Sequence, residues 1–579
     1  MIKTLAKSVR EYKKPAILSP ILVSCEVILE CLLPFVMASM IDEMDGTSMR
    51  PIIKYGIILI VLAMLSLYFG YAAASAAATA ATGFAENLRK DLFYKVQDYG
   101  FADIDSFSTS SLVTRLTTDV ANVQNAFQMI IRGVVRAPLM LVFSIVMSMM
   151  INVKMSFIFI AIMPVLGIAL FMIFKVVYPI FKRIFKKYDA LNNSVQENVA
   201  GIRVVKSFVR ERYEAQKFNA ASEDVRAEFT RAEKIIAFNN PIMVLCMYTA
   251  MFLVSFLGAK LIINTRGSEF TTGELSSLTA YGVQILMAMM VFSMMFVMCS
   301  IASEAANRIA EVLCHESTLT SPENGVTEVP DGSITFDHVS FKYSERSKKY
   351  ALADINVEIK SGETIGIVGG TGSSKSSLIQ LIPRLYDVSE GRVLVGGRDV
   401  REYDLVKLRD EVAVVLQKNV LFAGTIKENL RWGDPNASDE ELERVCKLAQ
   451  ADEFIRQFPD GYDTRIEQGG TNVSGGQKQR LTIARALLKK PKILILDDST
   501  SAVDTRTDAL IRKAFAEEIP DTTKLIIAQR MSSVEHADKI IVLDGGKIAE
   551  VGTHEELMAA GGIYRETYDS QTRGREVAS

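Results

Sequence analysis

The stretch Gly369-Gly370-Thr371-Gly372-Ser373-Ser374-Lys375-Ser376 specifies how the second half of this chain folds. It follows the apolar run Thr364–Val368, which predicts a buried strand, and it precedes Ser377–Leu385, which predicts a helix. A glycine-rich turn between a strand and a helix is typical of a phosphate-binding loop, because backbone N–H groups at the start of the helix bind phosphate oxygens. One position departs from that pattern, since Ser374 stands where glycine is usual.

The residue types of this loop predict contacts with a nucleotide and its metal ion. Lys375 is expected to reach the β- and γ-phosphates, and the Ser376 hydroxyl is expected to hold Mg²⁺. The residues of this region that we predict to bind the nucleotide are Gly369, Gly370, Thr371, Gly372, Ser373, Ser374, Lys375, Ser376 and Ser377.

A second motif, Ser474-Gly475-Gly476-Gln477, lies further along the chain and precedes the helix-like stretch Leu481–Leu488. The run Ile493–Asp497 that follows predicts a buried strand, and it ends in an acid suited to bind Mg²⁺ through water. The order of these motifs resembles the ABC ATPase family, in which Ser-Gly-Gly-Gln is the diagnostic signature. The resemblance implies that Ser474, Gly475, Gly476 and Gln477 bind ATP.

The resemblance extends through the second half and implies further site residues. Tyr343 matches the aromatic residue that stacks on adenine, and Gln417 matches the glutamine that senses Mg²⁺ and the attacking water. The implied Mg²⁺ ligands are therefore Ser376, Gln417 and Asp497. The stretch Ser501-Ala502-Val503-Asp504 matches the loop that crosses the dimer interface.

Three positions depart from the family pattern, and all three fall on one ATP site. Ser374 is the first. Asp498 stands where the family usually has the glutamate that orients or deprotonates the attacking water. Aspartate is one methylene shorter, and a misplacement of about 1 Å can cost about a hundredfold in rate. Gln529 stands where the family usually has histidine, and glutamine cannot carry a proton or a positive charge. The implied catalytic residues are Asp498, Gln529 and Gln417.

In this family each ATP lies between the P-loop of one subunit and the signature of the other. The intact signature of this chain therefore serves the opposite site. The resemblance implies the degenerate member of a heterodimeric bacterial multidrug exporter, with a second ABC half-transporter as its partner. A homodimer with slow hydrolysis is the alternative.

The first half of the chain is dominated by apolar stretches. The sequence is 49% hydrophobic, and a bilayer core of about 30 Å requires roughly 20 mainly apolar residues per helix. The six stretches that qualify are Pro15–Met40, Ile52–Thr82, Val134–Ile151, Met155–Val177, Ile235–Ile263 and Leu275–Ile301.

The connections between these spans predict their orientation. Two long polar connections, Glu86–Arg132 and Lys182–Lys234, are rich in Lys and Arg and are therefore expected in the cytoplasm. An even number of spans then places both termini in the cytoplasm, and the resemblance implies a bacterial plasma membrane. Within the connections, Ser111–Val120 resembles the first coupling segment of the exporter class, and Glu197–Phe208 resembles the approach to the second.

We therefore predict a multi-domain fold. An all-α six-helix transmembrane domain with cytoplasmic coupling segments covers residues 1–320, a linker covers 321–332, and an α/β P-loop ABC ATPase domain covers 333–579. The net charge of −2 gives no reason to expect a nucleic acid partner. The predicted function is ATP-driven export of amphipathic small molecules, such as drugs or lipids, across a lipid bilayer. Import on the same fold and an ATP-gated channel or regulatory subunit are the alternatives.

Two acids lie inside the first span. Glu26 and Glu30 have i,i+4 spacing and therefore share one helix face. Intramembrane acids are costly and usually face protein or water. They are expected either to line the cavity, where they would attract cations or take up protons, or to bond polar partners on neighbouring helices. Because like charges one turn apart repel each other in low dielectric, we expect that they are not both charged.

Overall fold

The computed structural model describes residues 2–44, 49–345, 347–499 and 502–576 of the 579-residue chain. These residues form two compact units. The first unit comprises the chain up to Gln97 together with Thr109–His315, and the second comprises Asp98–Ser108 together with the chain from Glu316 onward. The short segment Asp98–Ser108 thus packs with the second unit, although the chain on both sides of it belongs to the first.

Helices form the described N-terminal half. In chain order they are α1 (Ile2–Ala6), α2 (Lys13–Asp42), α3 (Arg50–Gln97), α4 (Phe101–Phe107), α5 (Thr109–Thr114), α6 (Val120–Met129), α7 (Val135–Ile151), α8 (Val153–Ala200), α9 (Ile202–Ser207), α10 (Glu211–Ile236), α11 (Asn239–Thr265) and α12 (Thr272–Cys314). The π-helical segments Arg115–Asp119 and Ile130–Val134 connect α5, α6 and α7 into one continuous helical stretch.

Within the described residues, six helical stretches are long and apolar enough to cross a membrane, as predicted. Several extend well beyond the predicted spans, because the polar sequence that follows continues the same helix. Helices α3 and α8 each have 48 residues, roughly 72 Å at 1.5 Å per residue and more than twice the thickness of a bilayer core. The six stretches are Ile2–Asp42, Arg50–Gln97, Thr109–Ile151, Val153–Phe181, Glu211–Thr265 and Thr272–Phe292.

The first unit is held together by close packing of its long helices. Helix α2 packs against α3, α7 and α12. Its contact with α3 is made close by small residues, since Ala73, Ala77 and Ala80 of α3 have no exposed surface. A separate cluster joins α8, α11 and α12, with Phe159 and Val254 among its buried side chains.

The two acids of the first span have a counter-ion that the sequence analysis missed. Arg136 of α7 donates through Nη1 to Glu26 Oε1 and through Nη2 to both carboxylate oxygens of Glu30, at 2.8 Å each. Gly70 of α3 leaves room for Glu26, because a Cβ at that position would lie 2.9 Å from Glu26 Oε1. The expectation that the two carboxylates are not both charged considered their mutual repulsion alone and stays a prediction; the structure shows that both bond Arg136. The structure supports the alternative in which they bond a polar partner on a neighbouring helix.

Two larger sheets and one short two-stranded sheet form the second unit. The strands are β1 (Ile334–Phe341), β2 (Leu352–Ile359), β3 (Thr364–Val368), β4 (Glu390–Val395), β5 (Arg398–Asp399), β6 (Val412–Val415), β7 (Gly424–Thr425), β8 (Arg465–Ile466), β9 (Ile493–Asp497), β10 (Thr523–Ile527), β11 (Lys539–Asp544) and β12 (Lys547–Gly552). One sheet is antiparallel with the order β2-β1-β4-β5. The other has the order β12-β11-β3-β10-β9-β6 and is parallel except at β11–β12.

Helices cover this framework, and the unit has two main clusters of buried side chains. Strands β3 and β9 have the bounds that their apolar runs predict. The helices of the unit besides α4 are α13 (Lys375–Gln380), α14 (Leu405–Glu411), α15 (Ile426–Leu430), α16 (Asp439–Leu448), α17 (Asp452–Arg456), α18 (Gly475–Leu488), α19 (Thr505–Glu518), α20 (His554–Ala560) and α21 (Ile563–Glu576).

The predicted bounds of two helices and the predicted linker differ from the structure. Helix α13 begins two residues before the predicted Ser377 and ends at Gln380, and α18 begins at Gly475 instead of Leu481. The chain leaves the first unit at His315, and the stretch 321–332 is irregular but attached to the second unit. Val329 within it is buried in the core of that unit.

Candidate nucleotide-binding site

The phosphate-binding loop follows β3, which lies between β11 and β10 in the six-stranded sheet. Because parallel strands bring their carboxyl ends to one edge of a sheet, the loop shares that edge with the ends of β9 and β10. Lys375 Nζ donates to the carbonyl oxygens of Gly369 and Gly370, both at 2.8 Å, and to Ser373 Oγ at 3.3 Å. The ammonium group is thus held within the turn where a phosphate would bind.

The backbone of the loop is open on one side and strained at one residue. A Cβ added to Gly370 or Gly372 would meet nothing within 4 Å, and Thr371 is exposed. Ser374 has a φ of 71°, in the left-handed region that favours glycine. Such a conformation costs about 1 kcal/mol in a residue with a Cβ, so the family glycine at this position has a physical reason.

Burial shifts the ionisation of Lys375 and Asp497. It lowers the pKa of the Lys375 ammonium, although Asp497 and Asp498 oppose this shift. It raises the pKa of the Asp497 carboxyl; a hydrogen bond from Ser376 opposes that rise, and the charge of Asp498 adds to it. A divalent cation would favour the ionised carboxylate. Because Mg²⁺ prefers hard oxygen ligands, the adjacent Ser376 hydroxyl and Asp497 carboxylate fit this ion.

The three residues predicted to act in catalysis lie together. Asp498 is buried, and its Oδ2 accepts from Gln529 Nε2 at 2.6 Å and from Gln417 Nε2 at 3.4 Å. Its backbone N donates to the carbonyl oxygen of Ile527 at the end of β10. The carboxylate at the position of the family glutamate is therefore bonded by two amides, one from Gln417 after β6 and one from Gln529 after β10.

Tyr343 lies beside the P-loop helix, as its predicted role requires. Its hydroxyl lies 2.8 Å from Ser377 Oγ and donates to Gln380 Oε1 at 3.4 Å. Its ring meets the rings of Phe341 and Tyr386 edge-on, with centroids 4.8 and 5.3 Å away. The side chain remains about half exposed, which leaves ring surface for a base.

The sequence analysis missed Tyr386 and the segment that it holds. The Tyr386 hydroxyl donates to Asp105 Oδ2 of α4 at 2.9 Å, and its ring packs against Phe101. Asp103 of the same helix accepts from the backbone N of Thr318 at 3.1 Å. The helix α4 is thus attached beside the aromatic group that contains Tyr343. The predicted first coupling segment, Ser111–Val120, begins after this contact and lies in the first unit.

The predicted approach to the second coupling segment, Glu197–Phe208, covers the end of α8 and all of α9. It presents apolar side chains to its surroundings in the first unit, since Val204 is 59% exposed and Phe208 is 72% exposed.

The signature begins helix α18 and is exposed. Ser474 Oγ accepts from Gln477 N at 3.3 Å, and Gln477 Oε1 accepts from Ser474 N at 2.8 Å. This reciprocal pair is a capping box, which explains why the helix starts at the signature. Ser474 and Gly475 are exposed, so the start of α18 is available to a ligand brought by another chain.

The predicted interface loop is described in part. Ser501 lies outside the described residues. Ala502 N donates to Gln479 Oε1 at 3.0 Å, and Val503 O accepts from Arg530 Nη1 at 3.2 Å. Asp504 caps helix α19. The described part of the loop thus contacts both the signature helix and the residue after Gln529.

Comparison with known families matches both halves of the chain. Residues 17–301 match the family described as ABC transporter transmembrane region, and residues 352–501 match the family described as ABC transporter. The second match contains the P-loop, the signature and the acids at the end of β9.

Relatives from Bacillus subtilis (strain 168) match the chain over most of its length. The ABC transporter ATP-binding protein YfiB is 37% identical over 98% of this chain and 98% of its own. The putative multidrug export ATP-binding/permease protein YgaD is 31% identical over 99% of each chain. The probable multidrug resistance ABC transporter ATP-binding/permease protein YheI is 35% identical over 75% of this chain and 73% of its own.

The fold matches that of a solved bacterial Atm1-family ABC exporter with ATP bound. The TM-score is 0.83 at 23% identity, over 97% of this chain and 98% of that chain. An ABC ATPase domain binds nucleotide and couples ATP hydrolysis to transport, and ABC exporters work as dimers in a membrane. On its sequence matches, the chain belongs to the ABC transporter family, with an N-terminal transmembrane domain and a C-terminal ABC ATPase domain in the fold of an ABC exporter.

Proposed function

We propose that this chain is one subunit of a heterodimeric exporter of amphipathic small molecules. It contributes a poorly hydrolysing ATP site and an intact signature. Its partner is a second ABC half-transporter that carries glutamate and histidine at the positions of Asp498 and Gln529. ATP binding closes the two ATPase domains, the cytoplasmic segments transmit this closure to the membrane helices, and hydrolysis at the competent site resets the cycle.

The environment of Asp498 is the observation that carries this proposal. A base that activates water needs a carboxylate that reaches the water in line with the γ-phosphate. Aspartate is shorter than the family glutamate, and here its Oδ2 is engaged by the amides of Gln417 and Gln529. Neither amide can accept a proton in place of histidine. The geometry therefore supports slow hydrolysis at this site.

The same site keeps the groups that bind ATP. The P-loop backbone and Lys375 would bind the phosphates, Ser376 and Asp497 would hold Mg²⁺ with Gln417 nearby, and Tyr343 would stack on adenine. Charge neutralisation of a triphosphate by Lys and Mg²⁺ does not depend on a catalytic base. We therefore expect this site to retain ATP, and the bound ATP would hold the two ATPase domains together.

The substrate class and the location follow from the relatives and the spans. Two relatives carry the names multidrug export and multidrug resistance permease, which supports amphipathic small molecules as cargo. The six spans support a multi-pass protein of a bacterial plasma membrane, with both termini in the cytoplasm.

Two variants test the asymmetry between the sites. Asp498→Ala should leave most of the dimer's ATPase activity, because it removes a carboxylate from the site that already hydrolyses poorly. Gly475→Ala should lower the activity about a hundredfold, since a displaced phosphate at the competent site loses its alignment. Gly475 is the better signature position: its added Cβ would lie 3.6 Å from Ala502 Cβ, whereas a Cβ on Gly476 would lie 2.8 Å from Ala502 O and disturb its own chain.

Both variants are measured as steady-state ATP hydrolysis and substrate transport by the full-length dimer in proteoliposomes. A Glu→Gln change at the competent site of the partner is the positive control and should abolish turnover. Equal losses for Asp498→Ala and Gly475→Ala would show that the two sites are equivalent, and the proposal would then be wrong.

A further inference from the structure

The C-terminal helix α21 is fixed to the ATPase domain at its start. The Glu550 carboxylate of β12 accepts from the backbone N of Ile563 at 2.6 Å and of Tyr564 at 3.1 Å. Tyr564 is fully buried, and its hydroxyl lies 2.8 Å from His554 Nδ1. These contacts set both the direction and the rotation of the helix.

One face of α21 continues this attachment to the loop that contains Gln529. Tyr564, Tyr568 and Gln571 are spaced i, i+4, i+7 and therefore share that face. Gln571 Nε2 donates to the carbonyl oxygen of Gln529 at 2.8 Å, and Gln571 Oε1 accepts from the backbone N of Met531 at 3.0 Å. A single side-chain amide thus bonds both ends of the segment 529–531, as the backbone of a neighbouring strand would.

The segment that Gln571 holds is the one that directs Gln529 into the nucleotide site. Gln529 Nε2 donates to Asp498 Oδ2 at 2.6 Å, and Arg530 Nη1 donates to Val503 O in the interface loop. Gln571 is exposed, so water can replace its two hydrogen bonds and its loss does not expose a buried core. Its contribution is to restrict the positions of this loop.

We propose that Gln571 is a positioning residue of the nucleotide site, which holds the backbone of residues 529–531 so that the Gln529 amide stays directed at Asp498 and the γ-phosphate. Loss of this contact would let the loop move away and release ATP sooner. The inference rests on the proposed function in one respect, namely that ATP is retained at this site instead of being turned over.

Two substitutions at one position separate the two hydrogen bonds. Gln571→Glu keeps the acceptor for Met531 N but removes the donor to the Gln529 carbonyl, and Gln571→Ala removes both. Thr572→Ala is the matched control, because the Thr572 hydroxyl bonds the Tyr568 carbonyl within α21. The full-length dimer in nanodiscs is loaded with radiolabelled MgATP and chased with unlabelled MgATP. The slow phase of release should become about fivefold faster in Gln571→Glu, the effect of one lost hydrogen bond. It should become faster still in Gln571→Ala, which loses both, and should not change in Thr572→Ala.

A double-mutant cycle shows whether Gln571 acts through Gln529. In a Gln529→Ala background, Gln571→Glu should add no further increase in release, since the side chain that it positions is gone. Unchanged release in the Gln571 variants, an additive effect in the Gln529→Ala background, or an equal effect of Thr572→Ala would each overturn the inference. Absence of any slow phase in the unmodified dimer would instead contradict the proposed function. The double-mutant cycle would then be measured with the ATPase rate in place of the rate of ATP release.

Discussion

At the scale of the residue, the P-loop combines groups that favour ligand binding over stability. Ser374 adopts a left-handed φ without being glycine; Lys375 is partly buried and Asp497 is buried although both are charged in water. Each of these features costs free energy in the folded protein without ligand. Bound MgATP would repay the two electrostatic costs, because its phosphates favour the ammonium form of Lys375 and its cation favours the carboxylate form of Asp497.

This electrostatic cost predicts the behaviour of Asp497→Asn. A carboxyl whose pKa is raised on folding destabilises the folded state at every pH above its ordinary value, so removing the charge should stabilise the protein near neutral pH. We expect the unfolding free energy of the ATPase domain without nucleotide to rise by about 1 kcal/mol and the Mg²⁺-dependent retention of ATP to be lost. The chain has a single tryptophan, Trp432 in the ATPase domain, whose fluorescence on heating reports the unfolding.

The control for this prediction is Asp508→Asn. Asp508 is also buried, but its Oδ2 accepts from Ser533 Oγ at 3.1 Å and pairs with Arg512 at 3.2 Å. Removing that charge takes away a satisfied interaction, so the variant should unfold at a lower temperature. A lower unfolding temperature for both variants would contradict the argument.

The sequence predicts the arrangement of those site residues that are close together in the chain. Strand β3, the glycine turn and Lys375 are contiguous, so their arrangement is set by the chain itself. The bonds from Gln417 and Gln529 to Asp498 join three separate loops, and the contact of Gln571 with Gln529 spans 42 residues. No periodicity signals such contacts, because they depend on how strands and helices pack in three dimensions.

At the scale of the element, hydropathy located the spans but not the ends of the helices. The apolar part of α3 ends near Thr82, yet the helix continues to Gln97, because Glu86, Lys90 and their neighbours are good helix formers that need no lipid. The start of α18 was placed too late for a related reason. The stretch before Leu481 is polar, and the capping box of Ser474 and Gln477 determines the boundary.

The role of Arg136 as a counter-ion was not predicted, because this residue lies at the edge of an apolar run. The third predicted span starts at Val134, so Arg136 is its third residue. A basic side chain at the end of a span is usually interpreted as an anchor at the membrane interface. A signal was present, since two acids on one face of the first span require a counter-ion or a proton. The pairing helix could not be chosen from sequence, because it depends on which spans are neighbours.

This cluster gives a prediction at the level of helix packing. Arg136→Gln leaves Glu26 and Glu30 facing each other without a cation, and breaking a buried ion pair on one side costs roughly 3–5 kcal/mol. We expect a strongly reduced yield of monodisperse protein in size-exclusion chromatography. The triple variant Glu26→Gln, Glu30→Gln, Arg136→Gln removes all three charges and should recover most of that yield.

Transport by the triple variant separates a structural from a substrate-binding role of the cluster. If the charges serve packing alone, the recovered protein should transport cationic and neutral substrates at similarly retained rates. A selective loss of cationic substrates would instead favour the cavity-lining alternative for Glu26 and Glu30.

At the scale of the whole molecule, the chain crosses between its two units more than once. It enters the second unit at Asp98, returns to the first at Thr109 and enters the second again at Glu316. Helix α4 is bonded to Tyr386, which packs against Tyr343, so the segment Asp98–Ser108 is attached beside the residue predicted to stack on adenine. The complete ATP site, in contrast, needs the signature of a second chain, so one sequence can predict its half-sites but not its partner.

The orientation that we propose, with the basic connections and both termini in the cytoplasm, predicts which exposed positions are reachable from outside the cell. Ser268 lies in the connection between α11 and α12, and Ser207 ends α9 in the predicted approach to the second coupling segment; both are exposed. With the basic connections in the cytoplasm, a membrane-impermeant maleimide should label Ser268→Cys in intact cells and Ser207→Cys only after permeabilisation. Cys314, the exposed natural thiol, is replaced by serine in both variants. Labelling of Ser207→Cys in intact cells, with Ser268→Cys protected, would invert the proposed topology and place the ATPase domain where it has no ATP.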